Sequence, residues 1–216
     1  MPSFILSQPS ADMAMMAAYA ASGWKDILID LEHSPHGEAD VVRAMTALGH
    51  AGARLHLKMA NLEPESCGRY LSFGVRSFML PHVEDAASFR AVREELSRQS
   101  WIDPASVSLR PLIESRAALH ALPAICAEDG VTAIQIGLVD MAIDLGFPFQ
   151  GFRHLASLGR ALMPHLLEAL DAVRACGKPN GCMLLPGWFE FFPLDRVDQV
   201  VVPLGELLSR PIRGEA

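Results

Sequence analysis

Apolar residues in this chain gather in short dense runs separated by longer stretches where they recur every three or four positions. Short runs that are apolar on both faces are the pattern of parallel strands covered by helices. Such runs predict strands at 4–6, 26–30, 54–59, 75–80, 107–113, 132–136, 182–185 and 199–202. The helical spacing predicts helices at 12–22, 40–48, 64–73, 85–97, 117–127 and 157–175, with a helical turn at 204–208. In the fourth of these, Phe89, Val92 and Leu96 share one face. Pro164 sits inside the longest helix, where it removes one backbone hydrogen bond and is expected to kink it. Eight alternating units predict a compact (β/α)8 barrel, the TIM-barrel architecture, as one domain over 1–216. An open doubly wound sheet is the alternative. No Gly-x-Gly-x-x-Gly follows a strand, which removes the usual dinucleotide signature. The stretch after Val202 is too short for a full final helix, so a truncated or missing eighth helix is expected, its place covered by a partner subunit.

Composition narrows the partners. The net charge of -7, from 18 basic and 25 acidic residues, opposes binding to a nucleic-acid backbone. No apolar run reaches the ~18 residues of a membrane span, and the start MPSFILSQPS has no basic segment before an apolar core. A cytoplasmic protein is expected. The four cysteines form no Cys-x-x-Cys pair and are read as reduced, buried thiols.

The candidate chemistry lies where apolar runs end. Ile27, Leu28 and Ile29 lead into Asp30, and Glu32 and His33 follow. Two later runs end in acids, at Glu114 in RPLIES and Asp140 in AIQIGLVD. In a parallel barrel these ends share one rim. Two carboxylates that meet there suit Mg2+ or Mn2+, which prefer hard oxygen ligands; the alternative is a pair of solvated loop acids. His33 suits proton transfer, with Asp30 or Glu32 fixing its tautomer. Lys58 ends the third strand and is expected to hold a substrate carboxylate; a Schiff-base role is the alternative. His82, after Pro81, is expected to touch substrate at the same rim. His56, between Leu55 and Leu57, is read as structural, and Arg110 as part of a core or bottom-rim ion pair. The aromatic stretch PGWFEFFPLD at 186–195 is either a lid or a subunit contact. Subunit contact is the expectation, since exposed rings cost solubility, and it predicts a homo-oligomer.

The stretches ILIDLEHSPHG, LSFGVRSFMLPHVEDAASF, LIES followed by AALHALPAI, DGVTAIQIGLVDMAIDLG and GKPNGCML carry a resemblance. The chain resembles the HpcH/HpaI aldolase and citrate lyase β-subunit superfamily, and within it the metal-dependent 4-hydroxy-2-oxoacid aldolases. The resemblance implies a modified TIM barrel with Glu114 and Asp140 as metal ligands and His33 in acid–base work. It also implies that Gly137 and Leu138 lie in the loop whose amides hold the oxoacid carboxylate, and that the chain assembles as a hexamer built from dimers. The implied reaction cleaves a 4-hydroxy-2-oxoacid to pyruvate and an aldehyde through a metal-stabilised enolate.

The chain departs from that pattern at several positions. Lys58 stands where the aldolases carry an arginine, Leu112 replaces a glutamine, Ser72 an aspartate and Leu138 a proline. Two alternatives follow. One is a Claisen-type lyase or synthase acting on a CoA thioester or a citrate-like polycarboxylate. The other is a catalytically degenerate barrel serving as a binding or assembly subunit.

Overall fold

The computed structural model describes residues 2–7, 12–148, 155–185 and 187–205. In chain order its elements are β1 (Ser3–Ser7), α1 (Met13–Ala21), β2 (Asp26–Asp30), α2 (Glu38–His50), β3 (Arg54–Lys58), α3 (Pro64–Ser72), β4 (Ser77–Leu80) and α4 (Ala86–Ser97). There follow β5 (Ser108–Ile113), α5 (Arg116–Cys126), β6 (Ile134–Ile136), α6 (Leu138–Asp144), α7 (Leu155–Ala175), β7 (Asn180–Met183) and β8 (Gln199–Pro203). The strands form a closed barrel in sequence order. Its seam is the parallel pairing of β1 with β8, from Ser3 opposite Gln199 to Ser7 opposite Pro203. The expectation of a truncated or missing eighth helix concerns residues from 206 on, which lie outside the described residues, as does most of the expected turn at 204–208.

Local chemistry explains the element boundaries. Asp12, Asp85 and Ser115 each accept the backbone N–H three residues on, which starts α1, α4 and α5. Gly23 and Gly74 adopt φ of 101° and 105° just past α1 and α3, a region that turns the chain out of a helix at no steric cost to glycine. One helix was not expected from the sequence. The strand expected at 132–136 ends at Ile136, as β6 does, and α6 then begins at Leu138, where the sequence predicted no element.

Strand side chains alternate, so every second residue points into the barrel. The inward set forms three layers. Ile5, Leu28, Met79, Leu112 and Val201 make an apolar disc across the middle, with Met183 packed on it. The outward residues, such as Ile27, Ile29, Leu57, Phe78 and Ile113, belong to the main core under the helices.

Below the disc lies a buried polar layer. His56 Nε2 is 2.7 Å from Asp26 Oδ1, and His56 Nδ1 is 2.9 Å from Ser77 Oγ. Arg110, 1% exposed, donates to Ser77 Oγ (2.6 Å) and to Gln199 Oε1 (3.2 Å), which also accepts from Gln135. His56 is thus structural as expected. Arg110 differs from its expectation: it is hydrogen-bonded to neutral groups and makes no ion pair among the described residues.

The aromatic stretch also differs from its expectation. Trp188 is fully buried and Phe192 nearly so, while Phe189 and Phe191 pack on the main core. Trp188 lies 5.7 Å from Phe191 between ring centroids. The space for the indole is made by Gly159 of α7, where a Cβ would come within 2.4 Å of Trp188 Nε1. These rings therefore belong to the chain's own interior, and the solubility argument for a subunit contact no longer applies to them.

Two predictions follow from this packing. Gly159→Ala gains ~1 kcal/mol of helix propensity but overpacks the indole, at a cost of about 1–3 kcal/mol. A net loss of about 1 kcal/mol is expected in urea denaturation, with unchanged m-value; a stabilised variant would refute the packing. The second concerns pH. Burial is the main cause that depresses the His56 pKa from 6.5 to about 4, against the opposing pull of Asp26. Between those values the unfolded chain binds the proton and the folded chain does not. Stability is therefore full above pH ~6.5 and falls toward pH 4, by about 3 kcal/mol from this group. In His56→Gln that part of the decline should vanish, which urea titrations at pH 7.5 and 4.5 would measure.

Candidate active site

The upper layer, above the apolar disc, is built from the C-terminal ends of the strands. Asp30 closes β2, Lys58 closes β3 directly opposite it, and Glu114 follows β5. Asp30 Oδ1 accepts the N–H groups of Glu32 (2.8 Å) and His33 (3.0 Å). That Asx-type turn folds the chain back so that all three side chains face one place. One ligand atom from each of Asp30, Glu32 and His33 lies within 4.8 Å of the others.

Lys58, only 6% exposed, sits inside this group. Its Nζ is 2.6 Å from Glu32 Oε2, 3.4 Å from Asp30 Oδ2 and 3.2 Å from His33 Nδ1. The contact with Glu32 Oε2 is a close ion pair, and that buried oxygen has no other donor among the described residues. Burial disfavours the Lys58 ammonium, but the charges of Asp30 and Glu32 outweigh it and raise the pKa above the ordinary lysine value. A lysine so firmly protonated is no Schiff-base nucleophile in this state.

Glu114 is buried on the far side of the same mouth. Its side chain lies against the backbone of Gly137, where a Cβ would come within 2.4 Å of Glu114 Cγ and 2.6 Å of Oε1. Glycine is required there for space. Glu114 Oε2 accepts the His82 N–H at 2.9 Å. Burial raises the Glu114 pKa; the His82 N–H and Lys58 oppose this, and the nearby Asp140 charge adds to it. Asp140 lies in the first turn of α6 rather than on a strand end. Asp144, another acid of that helix, is committed elsewhere, accepting from the Arg116 backbone N–H and side chain.

A cavity of about 170 Å3 joins these groups. Asp30, His33, Lys58, Glu114, Gly137, Leu138 and Asp140 line it, and Met79, Leu112, Met183 and Val201 form an apolar floor. The structure thus gathers seven of the nine sequence-predicted site residues around one space. Glu32 and His82 stand behind the wall. His82 Nε2 is 2.8 Å from Glu32 Oε1, so His82 links Glu32 to Glu114 rather than facing the cavity. Gly137 differs in a second way: its own N–H donates to Ile113 O at 3.0 Å and is not free for a substrate carboxylate. The first-turn amides after it, from Leu138 to Asp140, have no acceptor within their helix. The apolar floor was not read as part of the site; its signal was the strand alternation that puts Leu112 between Arg110 and Glu114.

The pattern has known relatives. The profile of the HpcH/HpaI aldolase/citrate lyase family matches residues 4–190. The chain belongs to the HpcH/HpaI aldolase/citrate lyase family. It is 28% identical over 206 residues to the 4-hydroxy-2-oxovalerate aldolase of Rhodococcus jostii, spanning 83% of this chain and 75% of that one. A family protein from Burkholderia cenocepacia superposes with a TM-score of 0.80 at 19% identity, over 94% of this chain and 88% of that one. The protein CitE of Mycobacterium tuberculosis, solved with magnesium and acetate, has the same fold, with a TM-score of 0.60 at 17% identity over 94% of this chain and 85% of that one. Membership of this family sets the chain among aldolases and lyases. No helix of the described residues is long and apolar enough to cross a membrane.

His82 holds a φ of 56°, the one non-glycine residue with positive φ among those described. Asparagine tolerates that region and a β-branched residue does not. His82→Val is therefore expected to lose about 2 kcal/mol or more of stability and His82→Asn about half that. Equal losses in chemical denaturation would mean that the contacts to Glu32 and Glu114, not the backbone, dominate.

Proposed function

We propose that the protein is a divalent-metal-dependent carbon–carbon lyase that cleaves a 4-hydroxy-2-oxoacid to pyruvate and an aldehyde. The observation that carries this reading is the meeting of Glu114, Asp140, His33 and Lys58 around one small cavity at the C-terminal mouth of the barrel. That is the face on which TIM-barrel chemistry is built.

The residues present fit a hard divalent cation. Glu114 and Asp140 offer only carboxylate oxygens; burial is the main cause that raises the Glu114 pKa and the Asp140 charge adds to it, and a cation would relieve both. Glu114 is already locked by Gly137 and by the His82 N–H. The two acids would hold Mg2+ or Mn2+, in keeping with the magnesium found in the fold neighbour named above. When bound, the cation would supply Lewis-acid polarisation of the 2-oxoacid carbonyl.

The remaining work falls to the chain's own groups. His33, its side chain 62% exposed at the rim, would take the proton from the substrate's C4 hydroxyl during cleavage and return it in the reverse addition. Lys58 would neutralise the oxoacid carboxylate, in competition with Glu32 and Asp30. Lys58 is the single lysine or arginine among the described lining residues, and the floor is apolar. One cation and an apolar floor suit a monocarboxylate with a small apolar aldehyde half. They are poorly suited to a citrate-like polycarboxylate, whose further charges would meet Asp30, Glu114 and Asp140. A cavity of about 170 Å3 has room for a small oxoacid.

The test is pyruvate release from 4-hydroxy-2-oxovalerate, followed with added Mn2+ or Mg2+ and after chelation. Chelation, Glu114→Gln and Asp140→Asn are each expected to lower the rate by ~100-fold or more. Activity that survives chelation and both substitutions would refute the metal role; absence of any cleavage across short 4-hydroxy-2-oxoacids would refute the reaction.

A further inference from the structure

The larger cavity lies at the other end of the barrel. It has a volume of about 410 Å3 and opens at the N-terminal mouth, below the apolar disc. We propose that this mouth is a second binding site, for a small organic anion that presents a carboxylate or phosphate oxygen group and carries a short apolar body.

Three guanidinium groups line this cavity. Arg110 forms its inner wall and is 1% exposed. Both its Nη atoms are engaged, but its buried Nε has no partner among the described residues. Arg76 donates through Nη1 to the Leu71 and Val75 carbonyls, at 3.0 and 2.9 Å, and has no carboxylate partner among the described residues. Arg54, at the rim, is held by Asp26 through two hydrogen bonds of 2.9 and 3.2 Å. Asp26 is the one acidic side chain of the described lining. His56, with its pKa depressed to about 4 mainly by burial, is neutral at pH 7 and brings no charge. Three positive charges thus face one negative charge, in a chain whose net charge is -7.

A buried guanidinium is normally matched by a carboxylate, because desolvation of an unpaired charge is costly. Arg110 lacks that match. A purely bracing role for the polar layer accounts for its two Nη contacts, and the N-terminal face of such barrels usually serves stability. It does not account for the unpartnered Nε, for the uncompensated Arg76, or for a cavity of this size beside them. Planar guanidinium groups pair two-pronged with carboxylate and phosphate oxygens, which sets the headgroup. Met45, Leu48 and Val75 line the part of the cavity toward α2 and α3, which sets the apolar body.

Calorimetric titration of the intact protein in EDTA with hexanoate, and separately with inorganic phosphate, tests the site. Wild type is expected to bind hexanoate. Arg76→Gln and Arg110→Met are each expected to weaken binding about tenfold or more, the effect of losing one charge-assisted contact. Lys58→Met, which alters only the opposite mouth, should leave the affinity unchanged. No binding at about 10 mM hexanoate, unchanged affinity in Arg76→Gln, or loss in Lys58→Met would each overturn the proposal. If Arg110→Met does not fold, Arg76→Gln decides. Phosphate binding as tight as hexanoate would overturn the apolar part of the ligand. None of these outcomes depends on lyase activity.

Discussion

Alternation along a strand inside a closed barrel is the constraint on which the rest of the molecule depends. β5 shows it in one line: Arg110, Leu112 and Glu114 all point inward, one to each layer. The apolar disc around Leu112 therefore separates a polar layer rich in arginine from one rich in acids. Four residues of extended chain span ~13 Å. At that distance two opposite charges attract by only about 1 kcal/mol at an effective dielectric constant near 20. The two ends of the barrel are thus nearly independent electrostatically, and each must find its balance locally.

At the C-terminal mouth that balance is incomplete. Asp30, Glu32, Glu114 and Asp140 converge there, and Lys58 is drawn into the Asp30–Glu32 side by contacts as short as 2.6 Å. Glu114 and Asp140 are left on the other side with mainly the His82 N–H and the more distant Lys58 charge to hold them. The Glu114 pKa is raised mainly by burial, and the Asp140 charge adds to it. The proposed divalent cation is what would complete the balance, so the electrostatics of the chain and the proposed chemistry ask for the same group. A lysine at position 58 fits this picture. A compact ammonium can be shared among Asp30, Glu32 and a substrate carboxylate, whereas a planar fork would commit to one of them.

Much of this was legible in the sequence, because its signals were local. β2 matches its expected span, since its apolar run is bounded by acids at both ends. Helices α1, α4 and α5 begin beside capping side chains that the sequence displays. What was not legible depends on contacts distant in sequence. The α6 helix was not foreseen because its cap is Gly137, which carries no side-chain signal. The pairing of Lys58 with Asp30 needs the register between β2 and β3. The link from Glu32 through His82 to Glu114 joins three separate βα loops. The aromatic stretch was misread for a similar reason: its rings are covered by α7, through a gap that only Gly159 leaves open.

Gly137 shows how the fold and the site constrain each other. A side chain at that position would collide with Glu114, so β6 must end where the carboxylate arrives, and the chain turns into α6 one residue later. That turn carries Asp140 to the cavity and leaves the first-turn amides facing outward from the helix start. Glu114 is meanwhile fixed from the opposite side by a backbone N–H that only a left-handed His82 presents. One acid is thus held between a required glycine and a strained histidine, and the other is delivered by the helix which that glycine begins. Moving either acid would mean repacking the end of a strand, and that rigidity is the kind of support a metal-binding pair needs.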